Sequence, residues 1–147
     1  MKQPVAPMTK FELDIAMFNE MYGLTQLQDQ SKTVVRERFV NYKKILLDEV
    51  NEYDDLIAML DASRVDRAEV LTALADLMGD IMVYCASEMR RFNLPTQQVL
   101  DIIMQSNLSK LGADGLPIKN EFGKVMKGPG YWKPEPKIKE LIQQLEI

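Results

Sequence analysis

The sequence predicts an all-α fold, a helical bundle of about four to five helices. Three observations carry this. Apolar residues recur at helical spacing, no stretch alternates convincingly in the strand manner, and the run from Leu24 to Met78 holds neither Gly nor Pro. At 147 residues, 46% of them apolar, the chain is long enough for one domain with a real core. A single domain over residues 1–147 is expected, with a helical core at 1–111 and a different kind of segment at 112–147.

The elements follow in order. Thr9 and Glu12 have capping-box spacing ahead of "FELDIAMFNEMY", and Gly23 is a suitable stop. A long helix is expected from near Ser31 to about Leu60. "DASRVD" breaks it, and Asp66 with Glu69 repeats the capping spacing, so a second long helix should cover about Arg67 to Phe92. "NLPT" ends that one. Thr96 then caps a third helix reaching about Leu111, with Gly112 as its stop. Five of the seven glycines fall between Gly112 and Gly130, mixed with lysine. After this Gly/Lys-rich loop, "KPEPK" leads into a short amphipathic helix ending "LIQQLEI".

Composition excludes several function classes. The formal charge of −4 argues against non-specific nucleic-acid binding. One cysteine, Cys85, permits no intrachain disulfide and fits a reducing, cytoplasmic setting. No run reaches the ~18 apolar residues of a spanning helix, so no membrane partner is expected. Histidine is absent. That removes imidazole acid–base chemistry and imidazole zinc sites, and leaves oxygen ligands with hard cations.

The acidic residues of "ILLDEVNEYDDLI" divide when each residue is placed 100° after the last. Leu46, Val50, Tyr53, Ile57 and Leu60 form one stripe, widened by Ile45 and Leu56. Asp48 and Asp55 fall opposite it, in water. Glu49 and Glu52 fall at its border and turn inward. On the next long helix the stripe is Val70, Leu74, Leu77, Ile81, Tyr84 and Cys85, and Asp76 and Asp80 share one edge of it. Leu71, Met78, Met82 and Met89 extend apolar character around that helix, which predicts burial on more than one side and a core completed by oligomerisation. Acidic residues at a stripe border more often reach solvent or pair with Lys and Arg. Two such pairs on consecutive helices are rarer. Converging carboxylates would repel by roughly 4 kcal/mol per close pair at an effective dielectric near 20. Either some are protonated or a divalent cation such as Mg²⁺ sits among them.

At these residues the chain resembles a known superfamily. "DEVNE" followed by "DLMGD" is similar to the paired acidic motifs of the all-α nucleoside triphosphate pyrophosphohydrolases, which include MazG, the dimeric dUTPases and the phosphoribosyl-ATP pyrophosphohydrolases. Glu49 and Glu52 meet the first Glu-x-x-Glu motif. In the second, Asp76 stands where a Glu is usual, four residues before Asp80. "QSNLSKLGADGLPIKNEFGKVMKGPGYWKPE" is similar to the tail of a MazG-like branch with dUTPase-like activity, as is "FNEMYGL". In that branch an Asn-x-x-Lys and a later "GKxxKGxxY" approach the phosphates. The matching residues are Asn107, Lys110, Lys124, Lys127 and Tyr131, and 112–147 becomes a phosphate-side loop with a C-terminal helix.

The resemblance implies Mg²⁺-dependent hydrolysis of a nucleoside triphosphate to the monophosphate and pyrophosphate, with dUTP or dCTP leading. Glu49, Glu52, Asp76 and Asp80 would hold Mg²⁺, with Mn²⁺ as a substitute, and Glu49 or Glu52 would be the catalytic base. A homodimer or homotetramer is expected. Two other readings stay open: a phosphoribosyl-ATP-type enzyme, and a non-catalytic helical assembly module with a structural cation.

Overall fold

A computed structural model of the protein describes residues 6–145. The all-α expectation holds. The helices are α1 (Lys10–Met21), α2 (Lys32–Asn51), α3 (Tyr53–Asp61), α4 (Arg67–Arg91), α5 (Thr96–Leu108) and α6 (Glu135–Leu145). Two short strands, β1 (Ile118–Lys119) and β2 (Val125–Met126), pair antiparallel with Ile118 opposite Met126. The chain forms two compact units. One is Leu13–Asn93, and the other takes in the residues before Leu13 and those from Leu94 onward.

Local chemistry sets the helix ends. The Thr9 amide donates to Glu12 Oε1 at 3.1 Å while the Glu12 amide donates to Thr9 Oγ1 at 3.2 Å, the reciprocal capping box the spacing predicts. After α1 the Leu24 amide reaches Asn19 O at 2.7 Å and the Gly23 amide reaches Glu20 O at 3.3 Å. Gly23 has φ +68°, so the pair forms a Schellman stop. Asp66 Oδ1 accepts from the amides of Ala68 and Glu69 at the start of α4. Asn93, at φ +57°, ends α4 in the left-handed conformation that asparagine tolerates.

In the unit Leu13–Asn93, α4 is the centre, and α2 and α3 both pack on it. Leu77 and Ala86 of α4 are buried, as is Ile15 of α1. Two consecutive α4 residues hold two different partners. Ser87 donates through Oγ to Asn19 Oδ1 at 2.5 Å, and Asn19 Nδ2 donates back to the Ser87 carbonyl at 3.1 Å, both side chains buried. Glu88 receives a two-pronged pair from Arg38 of α2, at 2.7 Å from Nε and 2.5 Å from Nη2. The Phe39 and Phe92 rings meet at a tilt of 54°, their centres 5.8 Å apart. These polar ties matter because the apolar core is thin: Val50, Ile57, Leu60, Leu71, Met78 and Met82 are all exposed.

That exposure corrects the predicted phase of α2. The stripe through Val50, Ile57 and Leu60 faces outward. The inward line runs instead through Arg38, Tyr42, Ile45, Glu49, Tyr53, Leu56 and Met59, all partly buried. The single helix expected over about 31–60 is also two. At the junction the chain tightens: the Glu52 amide bonds to Glu49 O and the Asp55 amide to Glu52 O, each three residues back and each at 3.1 Å. This is 3₁₀ geometry, with three residues per turn.

The other unit is built on α5 and α6, which pack together. Thr96 is buried as the first residue of α5 rather than exposed as its cap, and α5 ends at Leu108, short of Leu111. The expected loop contains two turns of one design. The Gly112 amide bonds to Leu116 O and the Gly115 amide to Gly112 O; eight residues on, Asn120 bonds to Lys124 O and Gly123 to Asn120 O. Gly115 and Gly123 both have φ +77°. An Asx acceptor staples each turn: Asp114 takes the Leu116 amide, and Asn120 takes those of Phe122 and Lys124. The strands between are too short for alternation to show.

By length and composition α4 is apolar enough to cross a membrane, contrary to the expectation that no run would be. The core helix of a globular bundle passes the same test, and α4 carries Asp76 and Asp80 midway along it.

The Arg38–Glu88 pair is mostly shielded, with side-chain exposures of 21% and 12%. Glu88→Gln is expected to lower stability by about 2–3 kcal/mol, because it leaves a shielded guanidinium without its counter-charge. Arg38→Met combined with Glu88→Leu should recover most of that. Urea unfolding of Glu88→Gln and of the double variant measures it, and a cost below about 0.5 kcal/mol would make the pair an ordinary surface contact.

Candidate functional site

Glu49, Glu52, Asp76 and Asp80 all lie in the unit Leu13–Asn93, and the structure treats them differently. Glu49 is on the inward line of α2, and its Oε2 is buried with no hydrogen-bond partner. Burial raises its pKa above the ordinary glutamate value, and the charges of Glu52 and Asp80 raise it further; the Tyr84 hydroxyl beside it pulls the other way. Glu52, Asp76 and Asp80 are exposed, as are Asp48 and Asp55. The inward placement predicted for Glu52 is therefore not what the structure shows.

The 3₁₀ junction still links Glu52 to Glu49. At three residues per turn, positions i and i+3 eclipse. The tightening that ends α2 thus draws Glu52 toward the same line as Glu49, and the charge of Glu52 is the largest electrostatic influence on it. Asp80 acts from α4. Asp76, one turn earlier on α4, is not among the charges that act on Glu49.

Sequence reading missed Tyr84 as part of this cluster. It stands four residues after Asp80, on the same helix face, and that spacing was the available signal. Burial and then the charge of Glu49 push its phenol up. The Tyr42 hydroxyl, shielded and without a partner, lies further along the same interface, its phenol pushed up by burial and by the neighbouring Cys85 thiol.

The donor set is all oxygen, and the orphaned Glu49 Oε2 is a free acceptor in a shielded place. Both fit a hard divalent cation. Among the described residues, no three acidic or cysteine side chains stand close enough to hold one ion as they are placed.

Asn107, Lys110, Lys124, Lys127 and Tyr131 lie in the other unit. The structure brings three of them together: the Lys110 and Lys127 ammonium groups lie 5.8 and 5.0 Å from the centre of the Tyr131 ring. Asn107 is exposed on α5, and Lys124 is exposed beside β2. Two serines that sequence reading missed hold the segment down. Ser106 Oγ donates to the Trp132 carbonyl at 2.8 Å, and the Trp132 amide donates to Ser109 Oγ at 3.3 Å. Gly128 lies so close to the Leu111 carbonyl that no Cβ fits there. The backbone of Trp132 is the anchor, and its ring centre lies 3.9 Å from Lys137 Nζ.

A cleft of about 350 Å³ opens near the C-terminal ends of α1 and α4, lined in part by Asn19, Glu20, Gln26 and Arg90. It contains none of the predicted site residues.

No protein-family model matches the chain, and no curated protein does. Among solved structures it is similar to that of a candidate NTP pyrophosphohydrolase from Exiguobacterium sp. 255-15, with 21% identity and a TM-score of 0.50. The match covers 95% of this chain and 98% of that one. The two proteins share a fold.

The raised pKa of Glu49 gives a signed expectation for the metal-free protein. The folded state binds the Glu49 proton more tightly than the unfolded state does. The stability from this group is therefore fully present below the ordinary glutamate value and is lost as pH rises through the raised one. Glu49→Gln should melt at or above wild type at neutral pH in a chelator, and the gap should close on acidification. A gap that widens toward low pH would contradict the burial of a charged Glu49 among Glu52, Asp80 and Tyr84.

Proposed function

We propose that the chain is a nucleoside triphosphate pyrophosphohydrolase, cleaving between the α and β phosphates to release pyrophosphate. The observation that carries this reading is Glu49. Its shielded, unpartnered oxygen lies among the like charges of Glu52 and Asp80, on the fold of a protein described as a candidate for the same chemistry.

Glu49, Glu52, Asp76 and Asp80 would hold Mg²⁺, or Mn²⁺ in its place, which supplies charge neutralisation and Lewis acidity to the triphosphate. Glu49 Oε2 takes the proton of the attacking water; a carboxylate of raised pKa accepts it better than an ordinary one. The water oxygen bonds to the α phosphorus, and the bond from that phosphorus to the bridging oxygen breaks. The electron pair leaves with pyrophosphate, whose charge Lys110, Lys124 and Lys127 balance. Asn107 offers an amide donor to a phosphate oxygen. A pyrimidine deoxynucleotide, dUTP or dCTP, is the proposed substrate, and the role is removal of nucleotides from the pool.

We also propose a homodimer or homotetramer. The exposed methionines of α1 and α4, Met17, Met21, Met78 and Met82, are the surface that a second copy would cover. Light scattering at micromolar concentration should find no stable monomer.

Pyrophosphate release across a nucleotide panel with Mg²⁺ tests the activity. Glu49→Gln and Glu52→Gln should each abolish most turnover. Asp48→Asn and Asp55→Asn should stay within a few-fold of wild type, as solvated surface charges do. Damage from Asp48→Asn equal to that from Glu49→Gln would reject the assignment. So would a panel with no release, which would leave the assembly-module reading.

A further inference from the structure

The outward face of α2 and α3 reads alike from both ends. Its apolar members are Val40, Leu47, Val50 and Ile57, each between 42% and 54% exposed. Its charged members are Arg36, Lys43, Asp54 and Asp61, all exposed. Taken together they alternate four and three residues apart, the spacing of a coiled-coil seam. The seam passes Glu52 without a loop, since Glu52 keeps a right-handed helical backbone at φ −63° and ψ −15°. Leu47 with Val50, Lys43 with Asp54, Val40 with Ile57 and Arg36 with Asp61 are all centred on one point, between Asp48 and Glu49. About that point apolar mirrors apolar, and cation mirrors anion.

A solvated helix face ordinarily intersperses the two signs of charge. On this seam the cations precede the midpoint and the anions follow it. The order also runs against the helix dipole, which favours acids at the N-terminal end and bases at the C-terminal end. α2 has no acidic residue in its first turn and no basic residue in its last. Lys43 and Asp54 lie roughly 16 Å apart along the helix, too far to neutralise each other within one chain. The segregation is unfavourable in a lone copy, and a second copy laid head to tail relieves it.

We propose that this seam is a two-fold docking surface for a second copy of the chain, the two copies running antiparallel. Leu47 then meets the partner's Val50, and Val40 meets the partner's Ile57. Lys43 faces the partner's Asp54, and Arg36 faces the partner's Asp61. Two-fold symmetry makes every one of these contacts twice. The charges set direction and register, because a parallel pairing opposes like charges and a slipped one opposes charge to apolar residues. The seam also explains why Val50 and Ile57 read as core in the sequence: they are apolar for a partner. This surface is separate from the catalytic reading and stands even if no nucleotide is cleaved. It is separate, too, from the methionine face of α1 and α4, and a chain that uses both faces closes as a tetramer rather than a dimer.

The test is sedimentation of the full chain over a range of concentrations, with helix content followed by circular dichroism. Wild type should associate. Lys43→Glu and Asp54→Lys should each raise the dissociation constant of one association step about tenfold, since each sets like charges opposite each other twice. Lys43→Glu combined with Asp54→Lys in one chain should restore that step to within about threefold of wild type. Leu47→Asp should abolish it. These positions are exposed in the single chain, so helix content should hold. If Leu47→Asp loses it, the charge exchange decides alone. Failure of the combined variant to recover would overturn the proposal, because Lys43 would then not face the partner's Asp54. Assembly that none of these variants changes would overturn it too, and would leave the methionine face as the interface. A monomeric wild type would overturn both. Pyrophosphate release by wild type is read separately: release without this association defeats the surface and keeps the enzyme, and association without release does the reverse.

Discussion

The register of α2 on α4 is the constraint on which the acidic cluster depends, and the Arg38–Glu88 pair sets it. The helices run antiparallel. Arg38 meets Glu88, Tyr42 lies by Cys85, and Glu49 feels Asp80 and Tyr84. Each step forward along one helix is a step back along the other. A slip of one turn would carry Glu49 about 5 Å from its α4 neighbours. Apolar contacts alone would resist such a slip weakly, since Val50, Ile57, Met78 and Met82 are exposed. A planar guanidinium on a carboxylate tolerates no such displacement. Ser87, next to Glu88, fixes α1 in the same way through Asn19.

The parts of the fold that local rules govern were readable. Thr9 with Glu12, Gly23, and Asp66 with Glu69 marked the helix ends where the structure has them. The phase of α2 was not readable. Arg38 occupies its inward line, where a hydrophobic pattern does not look, and Glu49, read as inward, was read against a stripe whose Val50, Ile57 and Leu60 face outward. The junction at Glu52 left no mark either, because the chain tightens there without Gly or Pro. The turns at 112–116 and 120–124 were legible as glycine-rich loop. Their order was not, since it comes from backbone hydrogen bonds that leave no periodicity. Ser106 and Ser109 carried no signal in the sequence; their partner, Trp132, is more than twenty residues away.

The two units gather charge in opposite senses. One crowds carboxylates around a shielded oxygen, and the other crowds ammonium groups around a ring. Each is electrostatically unfavourable in isolation, and neither is relieved by an internal ion pair among the described residues. Such sites lie at the low-stability end of a structure, and natural chains keep them where a ligand completes the balance.

The clamp at Trp132 differs in kind from the rest of the packing. Ser106, Ser109 and Gly128 hold it through hydroxyls, amides and a close backbone approach, with little apolar area removed from water. Apolar burial carries a large heat-capacity change and weakens on cooling, whereas polar contacts of this sort do not. The segment and the thin core around α4 therefore age differently with temperature. In the cold the helical unit loosens first while the glycine-rich turns remain seated, so the part of the chain that looks most like a loose tail is the part that cold leaves in place.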